Sequence, residues 1–187
     1  RRQLFLSKNR KAVALFANDG HQVIIYDLFA GTSRKLNLPE TAEYLNWSYD
    51  GTKLALNNGL VVSALDGTNI VSFTGIMPQW FTDDKTLLYS NGESSLRKIN
   101  IETGSDELVV EVPDVYIWFF QLAAPINKLV VIGFVDPGRV TFTFLYDMRN
   151  KQLTEISRND FSVQWSRTFA SFLLLQRDYF GEFFPWF

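Results

Sequence analysis

Histidine and cysteine carry much of the catalytic and metal chemistry of proteins, and this chain of 187 residues has one of the first, His21, and none of the second. His21 directly follows Asp19-Gly20, a pair that reads as a hairpin tip, and no Gly-x-Ser-x-Gly elbow occurs to supply a nucleophile for it. A turn histidine facing solvent is the expected state. Without cysteine, disulfides and thiolate metal sites are excluded, while the redox compartment stays open. Carboxylates remain: Asp83, Asp84, Asp114, Asp136 and Asp178 all fall in or near loops. A glycosidase-like pair needs two of them facing each other across a bond, which sequence cannot decide, and acidic loop residues are ordinarily solvated. Asp50 and Asp83 each follow a tryptophan by three residues, where a short carboxylate accepts backbone N–H groups and holds a turn. Calcium is the alternative ligand, but it wants several converging oxygens and each turn offers one or two. No phosphate loop, dinucleotide fingerprint or metal-ligand cluster is present. The expectation is a non-enzyme with no cofactor and no metal.

The other chemistry-bearing pattern is a row of amides. Taking Leu6, Trp47, Trp80, Leu122 and Trp165 as equivalent anchors, the residue before each is Phe5, Asn46, Gln79, Gln121 and Gln164. The positions before those are apolar, so Asn46, Gln79, Gln121 and Gln164 share one orientation on alternating strands. Two readings follow. The amides either bond between neighbouring sheets, or they form a polar ring at the mouth of a central tunnel that meets a small ligand or a peptide end.

The elements that position these residues come from an internal repeat. The anchors are spaced by 41, 33, 42 and 43 residues, close to the roughly 40 to 45 of a four-stranded propeller blade. Each unit repeats one grammar. An inner strand leads into the anchor: Gln3 to Ser7, Glu43 to Ser48, Met77 to Phe81, Tyr116 to Ala123, Phe161 to Ser166. A short apolar strand follows: Ala12 to Ala17, Lys53 to Asn57, Thr86 to Ser90, Lys128 to Phe134, Ser171 to Gln176. Asn18-Asp19-Gly20, Asn57-Asn58-Gly59, Asn91-Gly92 and Asp136-Pro137-Gly138 are hairpin turns that tolerate positive φ. Third strands at Gln22 to Leu28, Leu60 to Leu65, Ser95 to Ile101 and Arg139 to Met148 come next. Outer strands at Ser33 to Leu38, Ile70 to Phe73, Glu107 to Glu111 and Gln152 to Ile156 close the units. The fold class predicted is all-β, a propeller of about five blades within one domain, 1–187, with units at 2–38, 43–75, 76–111, 115–157 and 161–187. The last unit is one strand short, so the chain also fits as a fragment of a larger propeller.

Trp47-Ser48-Tyr49-Asp50-Gly51-Thr52-Lys53-Leu54-Ala55 resembles the repeat unit of WD40-like propellers of the TolB type, with Tyr49 where a proline is usual. Trp80-Phe81-Thr82-Asp83-Asp84-Lys85 is a looser copy and Trp165-Ser166 a third. Trp47, Trp80 and Trp165 then read as structural anchors in the core, with Asp50 and Asp83 holding their turns. The resemblance implies a binding or sensing module for a protein partner, such as the extracytoplasmic sensor of a membrane-anchored bacterial transcription regulator. It also implies a periplasmic or other extracytoplasmic location. The alternative it implies is the propeller of a prolyl-oligopeptidase-like serine peptidase, separated from its catalytic domain.

Composition narrows the partners. With 18 basic and 20 acidic residues and a pI near 5.4, the chain carries no electrostatic footprint for nucleic acid. The longest apolar run, Val115 to Phe120, is far short of the roughly 18 residues of a membrane span. Phe183, Phe184, Trp186 and Phe187 crowd the end of the sequence, where Pro185 removes a ladder donor. An apolar strand edge of that kind templates further pairing, so these four aromatics are expected to be covered by a longer chain, by closure onto the first blade or by a second copy, with a homodimer as the leading expectation.

Overall fold

A computed structural model describes residues 3–17, 19–135, 140–158, 161–166, 172–177 and 183–184, with the backbone alone for 161–165, 172–177 and 183–184. Every regular element but one short 3₁₀ turn is a strand. The first sheet runs β1 (Phe5–Leu6), β2 (Ala12–Phe16), β3 (Gln22–Asp27), β4 (Ser33–Asn37), and the second β5 (Leu45–Trp47), β6 (Lys53–Leu56), β7 (Leu60–Ser63), β8 (Asn69–Ser72). The third contains β9 (Ile76–Trp80), β10 (Thr86–Ser90), β11 (Ser95–Asn100), β12 (Asp106–Glu111). The fourth contains β13 (Tyr116–Ala123), β14 (Lys128–Val135), β15 (Val140–Asp147), β16 (Gln152–Ser157). A fifth, three-stranded sheet contains β17 (Phe161–Trp165), β18 (Phe172–Arg177) and β19 (Phe183–Phe184). All pairings are antiparallel between chain neighbours, the meander expected of short strands joined by tight turns. Each expected strand is present among the described residues, some shorter than read from sequence, as with β1.

The chain divides into two compact units, Arg1–Asn91 with Leu96–Leu108, and Gly92–Ser95 with Val109–Phe187. In the first unit, packing follows a rule set by strand alternation. Phe5, Ala14 and Ile25 are register partners on one face of the first blade, and they pack with Leu45, Trp47, Leu54, Leu56 and Val62 from the second. Ala55 and Val61, on the opposite face of the second blade, pack with Trp80, Leu87, Tyr89 and Ile99 of the third. Each blade therefore turns its anchor face back onto the preceding blade and offers its other, forward face to the next. Trp47 is 3 % exposed and Trp80 1 %.

The tryptophans also fix register. Trp47 Nε1 donates to the Phe5 carbonyl at 2.9 Å, and Trp80 Nε1 donates to the Asn46 carbonyl at 3.0 Å. Both acceptors are the residue just before the preceding blade's anchor. A second set of bonds joins the turns after the anchors. Asn9 Nδ2 donates to the Asp50 carbonyl at 2.7 Å, while Asp84 Oδ1 accepts the N–H groups of Tyr49 and Asp50. The Tyr49-Asp50 peptide is thus held by the first blade on one side and the third on the other.

Within its own turn Asp50 accepts Ser48 Oγ at 2.6 Å, the Thr52 N–H at 2.9 Å and Thr52 Oγ1 at 2.7 Å. Asp83 does the same with the Lys85 and Thr86 N–H groups and Thr86 Oγ1. In the first blade Ser7 Oγ donates to Asn9 Oδ1 and accepts the Lys11 and Ala12 N–H groups. Ser7-Lys8-Asn9 is therefore a Ser-x-Asn copy of Ser48-Tyr49-Asp50. One left-handed residue closes each of these turns: Arg10 (φ 59), Gly51 (φ 75) and Asp84 (φ 55).

In the second unit the fourth blade is the longest, with β13, β14 and β15 each of 8 residues. Its core contains Ile117, Phe120, Leu129, Val130, Val131 and Ile132, each at most 1 % exposed. Trp118 is an extra residue in β13, where the register shifts between Ile117 and Phe119, and Gly133 lies opposite Ile117. A Cβ on Gly133 would run into the Val115 side chain, which is why glycine sits there. Glu93 and Ser94 accept the N–H groups of Ile117 and Val112 at 2.7 and 2.9 Å, which ties the Gly92–Ser95 segment to this unit.

Two predictions follow from these bonds. Trp80→Phe removes the indole donor and keeps the ring, and should cost about 1 kcal/mol in urea denaturation, whereas Trp80→Ala should cost about 3 to 5 kcal/mol. Equal stability of wild type and Trp80→Phe would show that the indole bond contributes nothing. Burial opposes ionisation of Asp50, but the hydrogen bonds from Ser48 and Thr52 and the nearby Lys53 ammonium outweigh it and pull the pKa down to about 2. A depressed carboxylate pKa gives stability that is complete above the unfolded value and is lost as pH falls through the folded one. Thermal midpoints should therefore drop between about pH 4 and about pH 2, with a smaller drop in Asp50→Asn. An identical pH profile for that variant would refute the role of the ionised Asp50.

Candidate functional site

The end of the first unit that carries the anchor turns also carries the turns between third and fourth strands, because antiparallel strands bring both to the same side. The two sets are bonded together: the Leu28 N–H donates to the Lys11 carbonyl at 2.9 Å, and the Ala64 N–H to the Thr52 carbonyl at 2.8 Å. Adjacent blades are linked here as well, Arg34 Nε donating to the Ala64 carbonyl at 2.9 Å. A recurring acceptor shapes each turn. Asp27 accepts the N–H groups of Phe29 and Ala30, Asp66 that of Thr68, Asn100 those of Glu102 and Thr103, and Asp147 those of Arg149 and Asn150. These bonds lower the pKa of Asp27, Asp66 and Asp147.

The turn tip is the position two residues before the left-handed Gly31, Gly67, Gly104 or Lys151. It is occupied by Phe29, Leu65, Glu102 and Arg149 in the four blades. Glu102 and Arg149 are the solvated charges such a position calls for. Phe29 is 82 % exposed and Leu65 76 %, and Leu28 beside Phe29 is 52 % exposed. A lone exposed apolar residue is ordinary, but here two of the most exposed apolar side chains occupy equivalent tips of adjacent blades, apolar surface that folding does not need. Sequence reasoning missed it, although the signal was there: the turn signatures align, and the apolar tip residues stand out against the charged ones.

Among the amide positions, Asn46 lies on the forward face of the second blade, in register with Ala55, and Gln79 on the forward face of the third, in register with Leu88. Asn46 Nδ2 donates to Tyr44 Oη at 3.3 Å, whereas its Oδ1 is buried with no partner. Gln121, in register with Val130 in the second unit, likewise has a buried Oε1 without a partner. The side chains of Gln164 and Trp165 lie outside the described residues, as do those of Phe183, Phe184, Trp186 and Phe187.

His21 is exposed on its hairpin, its N–H bonded to Asp19 Oδ1 at 3.1 Å. The most perturbed phenol is Tyr89, whose Oη donates to Asp106 Oδ2 at 2.5 Å while Arg97 Nε donates to Asp106 Oδ1 at 3.1 Å. Burial and then the Asp106 carboxylate push its pKa up to about 12, so it works as a tie to the outer strand rather than as a base. A crevice of about 310 Å³ on the third blade is lined by Thr86, Lys98, Asn100, Thr103, Ser105 and Glu107. Its Lys98 and Glu107 pair at 2.9 Å, and the lining offers hydroxyls and an amide without an activated nucleophile. Among the described residues no three His, Cys, Asp or Glu side chains converge to hold a metal, and no helix is long and apolar enough to cross a membrane.

No family model matches the sequence, and no curated protein sequence does. Solved structures do match. The hydrazine synthase of Kuenenia stuttgartiensis aligns with a TM-score of 0.73 at 13% identity, over 92% of this chain and 54% of that one. The β-propeller domain of Cps50 (Swd1) from Myceliophteria thermophila aligns at 0.68 and 16% identity, over 94% and 62%. Dihydro-heme d1 dehydrogenase NirN in complex with DHE aligns at 0.72 and 15% identity, over 99% and 46%. The chain therefore spans between 46% and 62% of the length of these proteins. With the four-stranded meanders and the repeating anchor bonds, the match establishes the fold: the chain is built of β-propeller blades.

Proposed function

We propose that the chain is a non-enzymatic binding module that holds a protein partner on the end of the first unit where Phe29 and Leu65 project. The observation that carries this is their exposure, 82 % and 76 %, at tips where the same repeat elsewhere places Glu102 and Arg149. Apolar anchors surrounded by polar turns are the usual makeup of a protein-binding hot spot. Asp27 and Asp66 keep the backbones of the two tips ordered, so little entropy is lost when they are covered. The propeller supplies a rigid base for such loops without supplying chemistry. The resemblance of Trp47–Ala55 to TolB-type repeats favours an extracytoplasmic sensing role, in which partner capture is the signal.

The test is the double variant Phe29→Ser, Leu65→Ser. Since both side chains face solvent, its stability should stay within about 0.5 kcal/mol per site of wild type. Affinity for partners captured by the wild-type protein should fall at least tenfold. Retained capture by a folded double variant would move the binding site elsewhere, and turnover of an ester, peptide or glycoside substrate by the purified chain would overturn the non-enzymatic reading.

A further inference from the structure

The anchor turns of the first three blades correspond bond for bond. The N–H groups of Ser7, Ser48 and Phe81 donate to the carbonyls of Ala12, Lys53 and Thr86, and those of Arg10, Gly51 and Asp84 donate to the carbonyls of Ser7, Ser48 and Phe81. Arg10, Gly51 and Asp84 are therefore equivalent left-handed positions, and Lys8-Asn9 is equivalent to Tyr49-Asp50. In the second blade the N–H groups of Tyr49 and Asp50 converge on one carboxylate oxygen, Asp84 Oδ1, supplied by the next blade. Successive N–H groups ahead of a left-handed residue form a concave nest for an anion, and here the nest holds a carboxylate.

The first blade has the same nest and a different neighbour. The position that would reach it from the next blade is Gly51, which has no side chain, and a Cβ there would run into the Asn9 side chain. Asn9 cannot serve its own N–H: its Oδ1 accepts Ser7 Oγ and the Lys11 N–H, and its Nδ2 donates to the Asp50 carbonyl. The Asp50 carboxylate is committed to Ser48 and Thr52. Among the described residues the N–H groups of Lys8 and Asn9 consequently meet no acceptor. The charge changes as well. From Ser7 to Ala12 the turn carries Lys8, Arg10 and Lys11 and no acid, whereas the second turn has Asp50 with Lys53 and the third has Asp83 and Asp84 with Lys85. None of the three cations of the first turn is ion-paired among the described residues. The Lys8 ammonium lies 4.5 Å from the centre of the Tyr49 ring, and burial there lowers its pKa with no carboxylate alongside to offset it.

We propose that the Lys8-Asn9 nest, with Arg10 and Lys11 beside it, is a carboxylate-binding site, filled by an aspartate or glutamate of the protein partner that covers the Phe29 tip. That source of the carboxylate rests on the binding of a partner at the tips, whereas the nest itself does not. The two places are bonded together, because the Lys11 carbonyl accepts the Leu28 N–H at 2.9 Å and so joins the anchor turn to the turn that carries Phe29. The acid of that second turn, Asp27, already accepts the N–H groups of Phe29 and Ala30. A carboxylate that accepts two backbone N–H groups between cations makes short, charge-assisted bonds. A partner segment with an acid beside an apolar residue engages the nest and the tip at once.

Amide proton–nitrogen correlation spectra of the whole chain, titrated with sodium acetate against sodium chloride at equal ionic strength, test the nest. The Lys8 and Asn9 amides should shift downfield and saturate with acetate but not with chloride, while those of Tyr49 and Asp50, already bonded to Asp84, should stay in place. Arg10→Asn, where asparagine tolerates the left-handed backbone, and Lys11→Gln should each weaken acetate binding at least threefold with unchanged circular dichroism. Unmoved Lys8 and Asn9 amides overturn the site, as do charge variants that bind acetate as wild type does. Inorganic phosphate bound at least tenfold tighter than acetate makes this a phosphate site and overturns the carboxylate assignment. The source is tested with a capped peptide of alternating glutamate and leucine and its glutamine counterpart. The glutamate peptide should bind at least tenfold tighter than acetate, shift the Phe29 and Leu65 amides together with those of Lys8 and Asn9, and lose that advantage when glutamine replaces glutamate. A glutamate peptide no tighter than acetate overturns the partner as the source. In the double variant Phe29→Ser, Leu65→Ser the acetate shifts should persist and the peptide should weaken. A peptide held as tightly by that variant as by wild type sinks the reading of the tips and leaves the carboxylate site standing.

Discussion

One hydrogen bond organises the first unit: the indole N–H of an anchor tryptophan reaching the backbone carbonyl just before the preceding anchor. Burying apolar sheet faces drives the blades together but has no direction, and two pleated surfaces can slide by a residue pair at little cost in area. A buried N–H has one acceptor within reach, and leaving it unpaired is costly. The bond therefore converts a non-specific face-to-face contact into one register. It also explains why tryptophan, rather than leucine or phenylalanine, occupies the buried anchors at 47 and 80.

The anchor turns act on the same interfaces from the end. Asp50 spends its carboxylate on its own turn, and its backbone is held by Asn9 on one side and Asp84 on the other. Asp84 can reach back because it takes a left-handed conformation, φ 55, that a short acidic side chain tolerates. These turn bonds act on the end of the unit from which the tips Phe29 and Leu65 project.

The positions where the anchor is leucine have their own meaning. Leu6 begins the first unit and Leu122 stands in the first complete blade of the second, while tryptophan stands where a blade packs back onto a predecessor within the first unit. The third blade's forward face carries Lys98, Thr86 and Asn100 beside the fully buried Leu88 and Leu96.

The strand order, the turn positions and the anchor alignment were legible in the sequence, because period-two alternation and Asn-Gly or Asp-Gly tips are local signals that short strands leave intact. What the local signals could not reveal was which face of a blade meets which neighbour. Alternation puts Asn46 on one side and Trp47 on the other, but only packing shows that the tryptophan side turns back and the amide side forward, leaving an acceptor of Asn46 buried and unpaired. The exposure of Leu6 against the burial of Trp47, the insertion of Trp118 into β13 and the division of the chain into two units were decided the same way. Each depends on contacts between residues tens of positions apart, and pattern along a chain carries no record of what a side chain will find across the gap.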